Sequence, residues 1–508
     1  LRRRILAVPL AAALIVTLAP QPASAVDEVN TKKLRDAVTV AGILGHERVL
    51  QRIATRNDGT RASGTPGFAA SAAYVSGVLK NAGYRVTEQK FTFAFYRELA
   101  PAQLTPVAPA GPAYATATYE YSASGDVTGR VVPALNNVLP PTPEPSSTAG
   151  CAAGDFAPAS ATAPEIALIQ RGGCDFAVKA ANAAAAGYDA AIIFNEGQPG
   201  RTELFQGTLG GAIDIPVVGL SFADGSALAA AAASGTVTLR VRTSTEINPN
   251  ATTSNIIADS PAGDPDRVLV VGAHLDSVVE GAGINDNGSG SATILEIAVQ
   301  MAKLKIKPRQ QVRFAFWGAE EAGLLGSEHY VADLSDTELT HIFANLNFDM
   351  VGSPNYVRFV YDGDGSATGT SGPAGSERIE SLFTDYFAGR GLASDPSEFN
   401  GRSDYGPFIE AGIPAGGLFS GAEGVKTPEQ AAVYGGTAGA PYDACYHQAC
   451  DDIDNLNTTA LAELGDAAAH AVLTLARTKT GLYPDGSLRA RARAAAPDFP
   501  YRGGHLVR

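Results

Sequence analysis

Short apolar runs of strand type end repeatedly in histidine or acidic residues, and this recurrence limits the fold more than any other feature. Val268–Ala273 runs into His274-Leu275-Asp276, Val312–Trp317 into Gly318-Ala319-Glu320-Glu321, and Phe343–Phe348 into Asp349-Met350. Between the first two, Ile294, Ile297, Ala298 and Met301 recur at helical spacing. Apolar strands alternating with amphipathic helices predict an α/β fold, with a mostly parallel central sheet flanked by helices. Such sheets bind ligands at the carboxyl ends of their strands. The chemistry-bearing residues fall there, joined by Gly283-Ile-Asn-Asp-Asn-Gly-Ser-Gly290 and the late segment Cys445-Tyr-His-Gln-Ala-Cys-Asp451.

None of these segments contains Lys or Arg. Acidic pairs beside apolar strand ends are costly without a positive neighbour, and a metal ion is the simplest one. Two histidines with several carboxylates suit zinc, and the number of carboxylates suits two ions that share one of them. His274 and His447 would each supply an imidazole, with Asp276 orienting His274 from behind. A water between two zinc ions becomes a hydroxide nucleophile near neutral pH. One carboxylate of the Glu320-Glu321 pair would then bind metal and the other act as general base.

The N-terminus predicts export. Arg2–Arg4 precede an apolar run from Ile5 to Ala19, and Ala23-Ser24-Ala25 fits a small-x-small cleavage site before Val26. Export makes disulfides permissible for the 4 Cys. No other stretch is long and apolar enough for a membrane span, so no membrane association is expected after cleavage. Asp+Glu outnumber Lys+Arg by 52 to 38, which argues against a nucleic-acid binder. A hydrophobic share of 45% argues against a disordered chain.

The site motifs resemble the two-zinc aminopeptidases of the secreted bacterial leucyl aminopeptidase and aminopeptidase Y type. His274-x-Asp276, Gly283-x-Asn-Asp-Asn-x-Ser-Gly290, Gly318-x-Glu-Glu-x-Gly-Leu-x-Gly-Ser327, Asn347-x-Asp-Met350 and Cys445-Tyr-His-Gln-x-Cys450-Asp follow the family's order. The resemblance implies a zinc-exopeptidase fold, with zinc ligands His274, Asp286, Glu321, Asp349 and His447. It makes Asp286 the bridge, Glu320 the general base and Asp276 the partner of His274. It also implies that Tyr446 donates to the oxyanion of the tetrahedral intermediate, that Arg402 contacts substrate, and that the Asp286–Asn287 peptide bond is cis. Cys445 and Cys450 match the family's small disulfide; taken alone, they could also be metal ligands. Ile166-Ala-Leu-Ile-Gln-Arg-Gly-Gly-Cys174-x-Phe176, with Lys179 and Ala186-Gly187, resembles a protease-associated domain. This smaller β-rich domain would be inserted into the peptidase domain and would pair Cys151 with Cys174.

The expected order is a signal peptide (1–25), a first part of the peptidase domain (26–121), the protease-associated domain (122–246), the zinc-binding part (247–480) and a flexible tail (481–508). The function expected is that of a secreted, monomeric metallo-aminopeptidase. It would take N-terminal residues, preferably hydrophobic ones, from peptides or proteins with two zinc ions and a bridging hydroxide. Two readings compete: another two-zinc hydrolase of the same fold, a carboxypeptidase or a cyclase, and a non-catalytic receptor-like relative. The receptor-like relative should have lost ligands, and here every position is filled. Asp451, Asp452 and Asp454 offer hard oxygens for a calcium ion, against the plainer reading of a charged turn before the last helix.

Overall fold

The three strands expected to carry the site lie side by side and parallel in the computed structural model, which describes residues 27–483. Asp264–His274 is the middle one, with Gln310–Trp317 on one side and Ile342–Phe348 on the other. His274 is level with Trp317, and Gly272 with Asn347. Their apolar runs are buried almost throughout, as strands covered on both faces must be. Ala415–Phe419 adds a further parallel strand beside Ile342–Phe348. One edge of the sheet therefore collects the ends of all three site strands.

Helices cover both faces. Gly290–Lys303 forms the crossover between Asp264–His274 and Gln310–Trp317, and it buries Ile294, Ile297, Ala298 and Met301 as its spacing predicts. Thr458–Arg477 packs Leu461, Leu464 and Ala468 into the same core. Its first turn is capped by Asn457, whose side chain accepts from the N–H groups of Thr459 and Ala460. The opposite face buries Trp317, Tyr330, Phe408 and Ile413.

Arg85–Ala108 forms one long strand, because its partner Thr238–Asp259 continues beside it. Register shifts along the pair, with Pro101 and Pro106 in the strand, break the alternation that would reveal its length. Thr238–Asp259 pairs at one end with Gln310–Trp317 and at the other with Gly125–Pro133. A single 13-stranded mixed sheet thus runs from the main body into the inserted one. There, Glu165–Gln170, Ala190–Phe194 and Val217–Leu220 are parallel, with helices Phe176–Ala185 and Phe222–Ser234 packed on them. The Cys151–Cys174 disulfide closes this part.

Packing continues into the stretch expected to be tail, where Leu482 is fully buried in the core. Residues 484–508 lie outside the described residues, as does the signal segment. Among the described residues, no helix is long and apolar enough to cross a membrane.

Candidate metal centre

The loop 283–290 after Asp264–His274 is held from several sides. Gly283 has φ 58°, and a Cβ there would meet the carbonyl of Asp286 at 2.3 Å, so only glycine fits the turn. Asn287 ties the loop to the end of the neighbouring strand. Its Nδ2 donates to the Phe348 carbonyl (2.9 Å), and its Oδ1 accepts from the N–H groups of Gly290 (2.8 Å) and Met350 (3.1 Å). The Asp286–Asn287 peptide bond is cis. Arg61, fully buried, donates to the carbonyls of Ala282 (2.8 Å), Gly283 (2.5 Å) and Leu275. Asp451 accepts from the N–H groups of Asn285 (2.8 Å) and Asp286 (2.9 Å). Motif reading did not single out Arg61, which carries no pattern of its own in Gly59-Thr-Arg-Ala-Ser-Gly64.

Held in this way, the Asp286 carboxylate spans the two imidazoles. Its Oδ1 is 3.2 Å from His274 Nε2, and its Oδ2 is 3.1 Å from His447 Nε2. Asp349 Oδ1 approaches His274 Nε2 to 3.3 Å, and Glu321 Oε2 approaches His447 Nε2 to 3.1 Å. The turn at Ala319 (φ 55°) sends the two successive glutamates to different imidazoles, with Glu320 Oε2 3.9 Å from His274 Nε2. Asp276 lies behind His274. Its backbone carbonyl is 3.2 Å and its Oδ1 3.7 Å from His274 Nδ1, and its Oδ1 accepts from the Glu320 N–H (3.3 Å). Ser403, itself accepting from Asn347 Nδ2 (2.7 Å), donates to Asp349 Oδ2 (2.5 Å).

Six carboxyl groups, Asp276, Asp286, Glu320, Glu321, Asp349 and Asp404, crowd against two imidazoles. Even if both imidazoles were protonated, uncompensated negative charge would remain, at several kcal/mol per buried ion. The titrations reflect the crowding. Burial and then the charge of nearby Glu321, Asp404 and Asp349 push Glu320 well above the carboxylate range, against the pull of His274. Burial also lifts Glu321 to about 7 and Asp404 to about 8. Burial works against a charged His274, but Glu320 and Asp349 outweigh it and raise its pKa.

Asp349 Oδ1 and Glu321 Oε1 are buried with no hydrogen-bond partner. Two sets, His274–Asp286–Asp349 and Asp286–Glu321–His447, bring their ligand atoms within 4.8 Å of one another. Imidazole nitrogens with carboxylate oxygens are a zinc-type donor set, so the residues fit two zinc ions sharing Asp286.

The five expected ligands, Glu320, Tyr446 and Arg402 line one cavity. The Tyr446 ring stacks on His447 (centroids 3.9 Å apart), and Arg402 Nη2 donates to the Tyr446 oxygen (3.2 Å). Arg402 Nη1 also pairs with Glu423 (2.6 Å). The Cys445–Cys450 disulfide brackets this segment. Met350, Tyr361, Tyr405 and Phe419 form an apolar wall, with Phe399 stacked against Tyr361 at 5.2 Å. Of the segments Tyr405–Phe408 and Ile413–Phe419, Tyr405 and Phe419 line the cavity. Phe408 and Ile413 pack with Trp317 instead. Asp451 is engaged by the ligand loop, and Asp452 Oδ1 accepts from the Asp454 N–H (2.9 Å).

Residues 255–472 match the model of peptidase family M28, and residues 107–228 match that of the PA domain. An aminopeptidase of Pseudomonas aeruginosa is 49% identical over 433 residues, covering 83% of this chain and 78% of that one. Leucine aminopeptidase 2 of Trichophyton rubrum is 46% identical over 334 residues, covering 65% of this chain and 66% of that one. Among solved structures, the aminopeptidase from Aneurinibacillus sp. strain AM-1 superposes with a TM-score of 0.68 at 27% identity, covering 93% and 100% of the two chains. A zinc aminopeptidase from Bacillus subtilis gives 0.60 at 26% identity, covering 90% and 98%. With the whole metal-ready cluster inside the matched region and a relative this similar over most of both lengths, the chain belongs to peptidase family M28.

Proposed function

We propose that this chain is a two-zinc aminopeptidase that removes hydrophobic N-terminal residues from peptides outside the cell. The observation that carries the reading is the Asp286 carboxylate, with one oxygen 3.2 Å from His274 and the other 3.1 Å from His447. His274, Asp286 and Asp349 would hold one ion; Asp286, Glu321 and His447 would hold the other. Zinc, when bound, supplies Lewis acidity that polarises the scissile carbonyl and acidifies water.

The chain's own residues do the rest. Glu320 accepts the proton of the attacking water on its carboxylate and hands it to the nitrogen of the departing amine. Asp276 keeps His274 in place. Tyr446 donates its O–H to the carbonyl oxygen as charge develops there, and a phenol that accepts from the Arg402 guanidinium is a stronger donor. The substrate's α-ammonium faces the negative charge of Glu320 and Asp349. The Met350, Tyr361, Tyr405 and Phe419 wall suits an apolar side chain, and a relative named leucine aminopeptidase 2 supports that preference. The two disulfides support an oxidising compartment, in line with the signal segment read at 1–25.

Metal analysis is expected to return two zinc ions per chain. Chelation should abolish cleavage of leucyl nitroanilide, and added zinc should restore it. The N-acetylated form of the same substrate should resist cleavage. Activity indifferent to chelator would overturn the metal reading, and equal cleavage of the acetylated substrate would overturn the aminopeptidase reading.

A further inference from the structure

Away from the catalytic cavity, Asp362, Asp364 and Glu380 each place one carboxylate oxygen within 4.8 Å of the others. Asp362 follows the strand Phe359–Tyr361 and is fully buried. Its Oδ2 accepts from the N–H groups of Ala367 (3.0 Å) and Thr368 (2.7 Å) and from Thr368 Oγ1 (2.8 Å), which fixes the carboxylate. Its Oδ1 is buried with no hydrogen-bond partner. An acceptor left unsatisfied in the interior is costly, and a cation is the partner that an all-acidic neighbourhood lacks. Glu380, on the helix Ser376–Ala388, is held over the loop because its Oε2 accepts from the N–H groups of Gly363 (2.9 Å) and Asp364 (3.2 Å). Burial and the nearby charges of Asp364 and Asp362 push the Glu380 carboxyl above its ordinary value.

We propose that Asp362, Asp364 and Glu380 form a calcium site. The donors are hard oxygens with three formal negative charges and no nitrogen or sulfur among them, which favours calcium over zinc. Asp362-Gly-Asp364-Gly-Ser366-Ala-Thr368 sets an oxygen-bearing side chain at every second position, with glycines that let the loop curl around an ion.

The placement connects the site to the catalytic cavity. Tyr361, next to Asp362, lines that cavity, as do Ser397 and Glu398. The Asp362 N–H donates to the Ser397 carbonyl (2.8 Å), and Thr370 Oγ1 donates to Glu398 (3.0 Å). A calcium ion would clamp the loop, the helix and this edge together, stiffening the cavity wall and stabilising the folded chain by mass action.

The test uses the zinc-loaded full chain, titrated with calcium chloride by calorimetry and followed through thermal unfolding with and without calcium. One calcium per chain and a higher unfolding temperature are expected. Asp362→Asn and Glu380→Gln should each weaken binding about tenfold or more while zinc content stays unchanged. Glu380→Gln leaves the buried strand end intact and decides the matter if Asp362→Asn does not fold. No binding at millimolar calcium, or unaltered binding in Glu380→Gln, overturns the proposal. Zinc content is measured separately, so failure of the calcium site is distinguishable from failure of the catalytic reading.

Discussion

Single residues divide into those that chemistry announces and those that only contacts reveal. Glu320 belongs to the first kind: a buried carboxylate beside the cluster, next to a second glutamate that faces the other imidazole. Glu320→Gln keeps the size of the side chain and removes the proton acceptor. It is expected to lower kcat by about 10²–10⁴-fold while zinc content and KM change little, measured with leucyl nitroanilide and metal analysis. Turnover near that of the unaltered enzyme would place the base elsewhere. Arg61 and Ser403 belong to the second kind. They act on backbone groups or on one carboxylate oxygen from distant parts of the chain, and such contacts leave no spacing to read.

At the scale of elements, the site strands and the helices Gly290–Lys303 and Thr458–Arg477 were legible because each buries a continuous or periodic apolar set. The strand Arg85–Ala108 was legible only in part, since bulges and two prolines interrupt its alternation. Helix Thr458–Arg477 also carries a pH-sensitive contact. His470 stacks on Tyr386 at 4.5 Å, and its Nδ1 meets Thr31 Oγ1 at 2.9 Å. Burial and Arg35 lower its pKa, Asp466 opposes them and Arg390 adds to them, leaving it at about 4 against an ordinary 6.5. The unfolded chain therefore binds more protons between these values, so stability falls as pH drops through that window. His470→Phe keeps a ring on Tyr386 and cannot titrate. Its loss of unfolding temperature from pH 7 to pH 4.5 should be smaller than that of the unaltered chain, by up to the effect of one proton. An equal loss in both would show that His470 is not responsible.

Across the whole molecule, the shared strand Thr238–Asp259 continues from the main sheet into the inserted body, and this brings residues of that body to the catalytic cluster. Gln206 and Thr208 of the inserted body line a groove with Glu321, Tyr446 and His447. That groove is a path along which a peptide leaving group longer than one residue could run. Gln206→Ala is expected to raise KM for tripeptides by about 2–10-fold, the worth of one hydrogen bond, while leucyl nitroanilide kinetics stay unchanged. Parallel shifts for both substrates would remove Gln206 from the path. By itself, the sequence determined the α/β class, the strand ends that carry chemistry and the residue types that suit zinc, because burial periodicity and donor chemistry are local properties. Only the tertiary structure decided that Asp286 reaches both imidazoles, that Arg61 and Asp451 hold its loop, and that one sheet unites the two bodies. Those facts depend on contacts between segments far apart in the chain, whose geometry is set by packing and hydrogen-bond satisfaction rather than by local pattern.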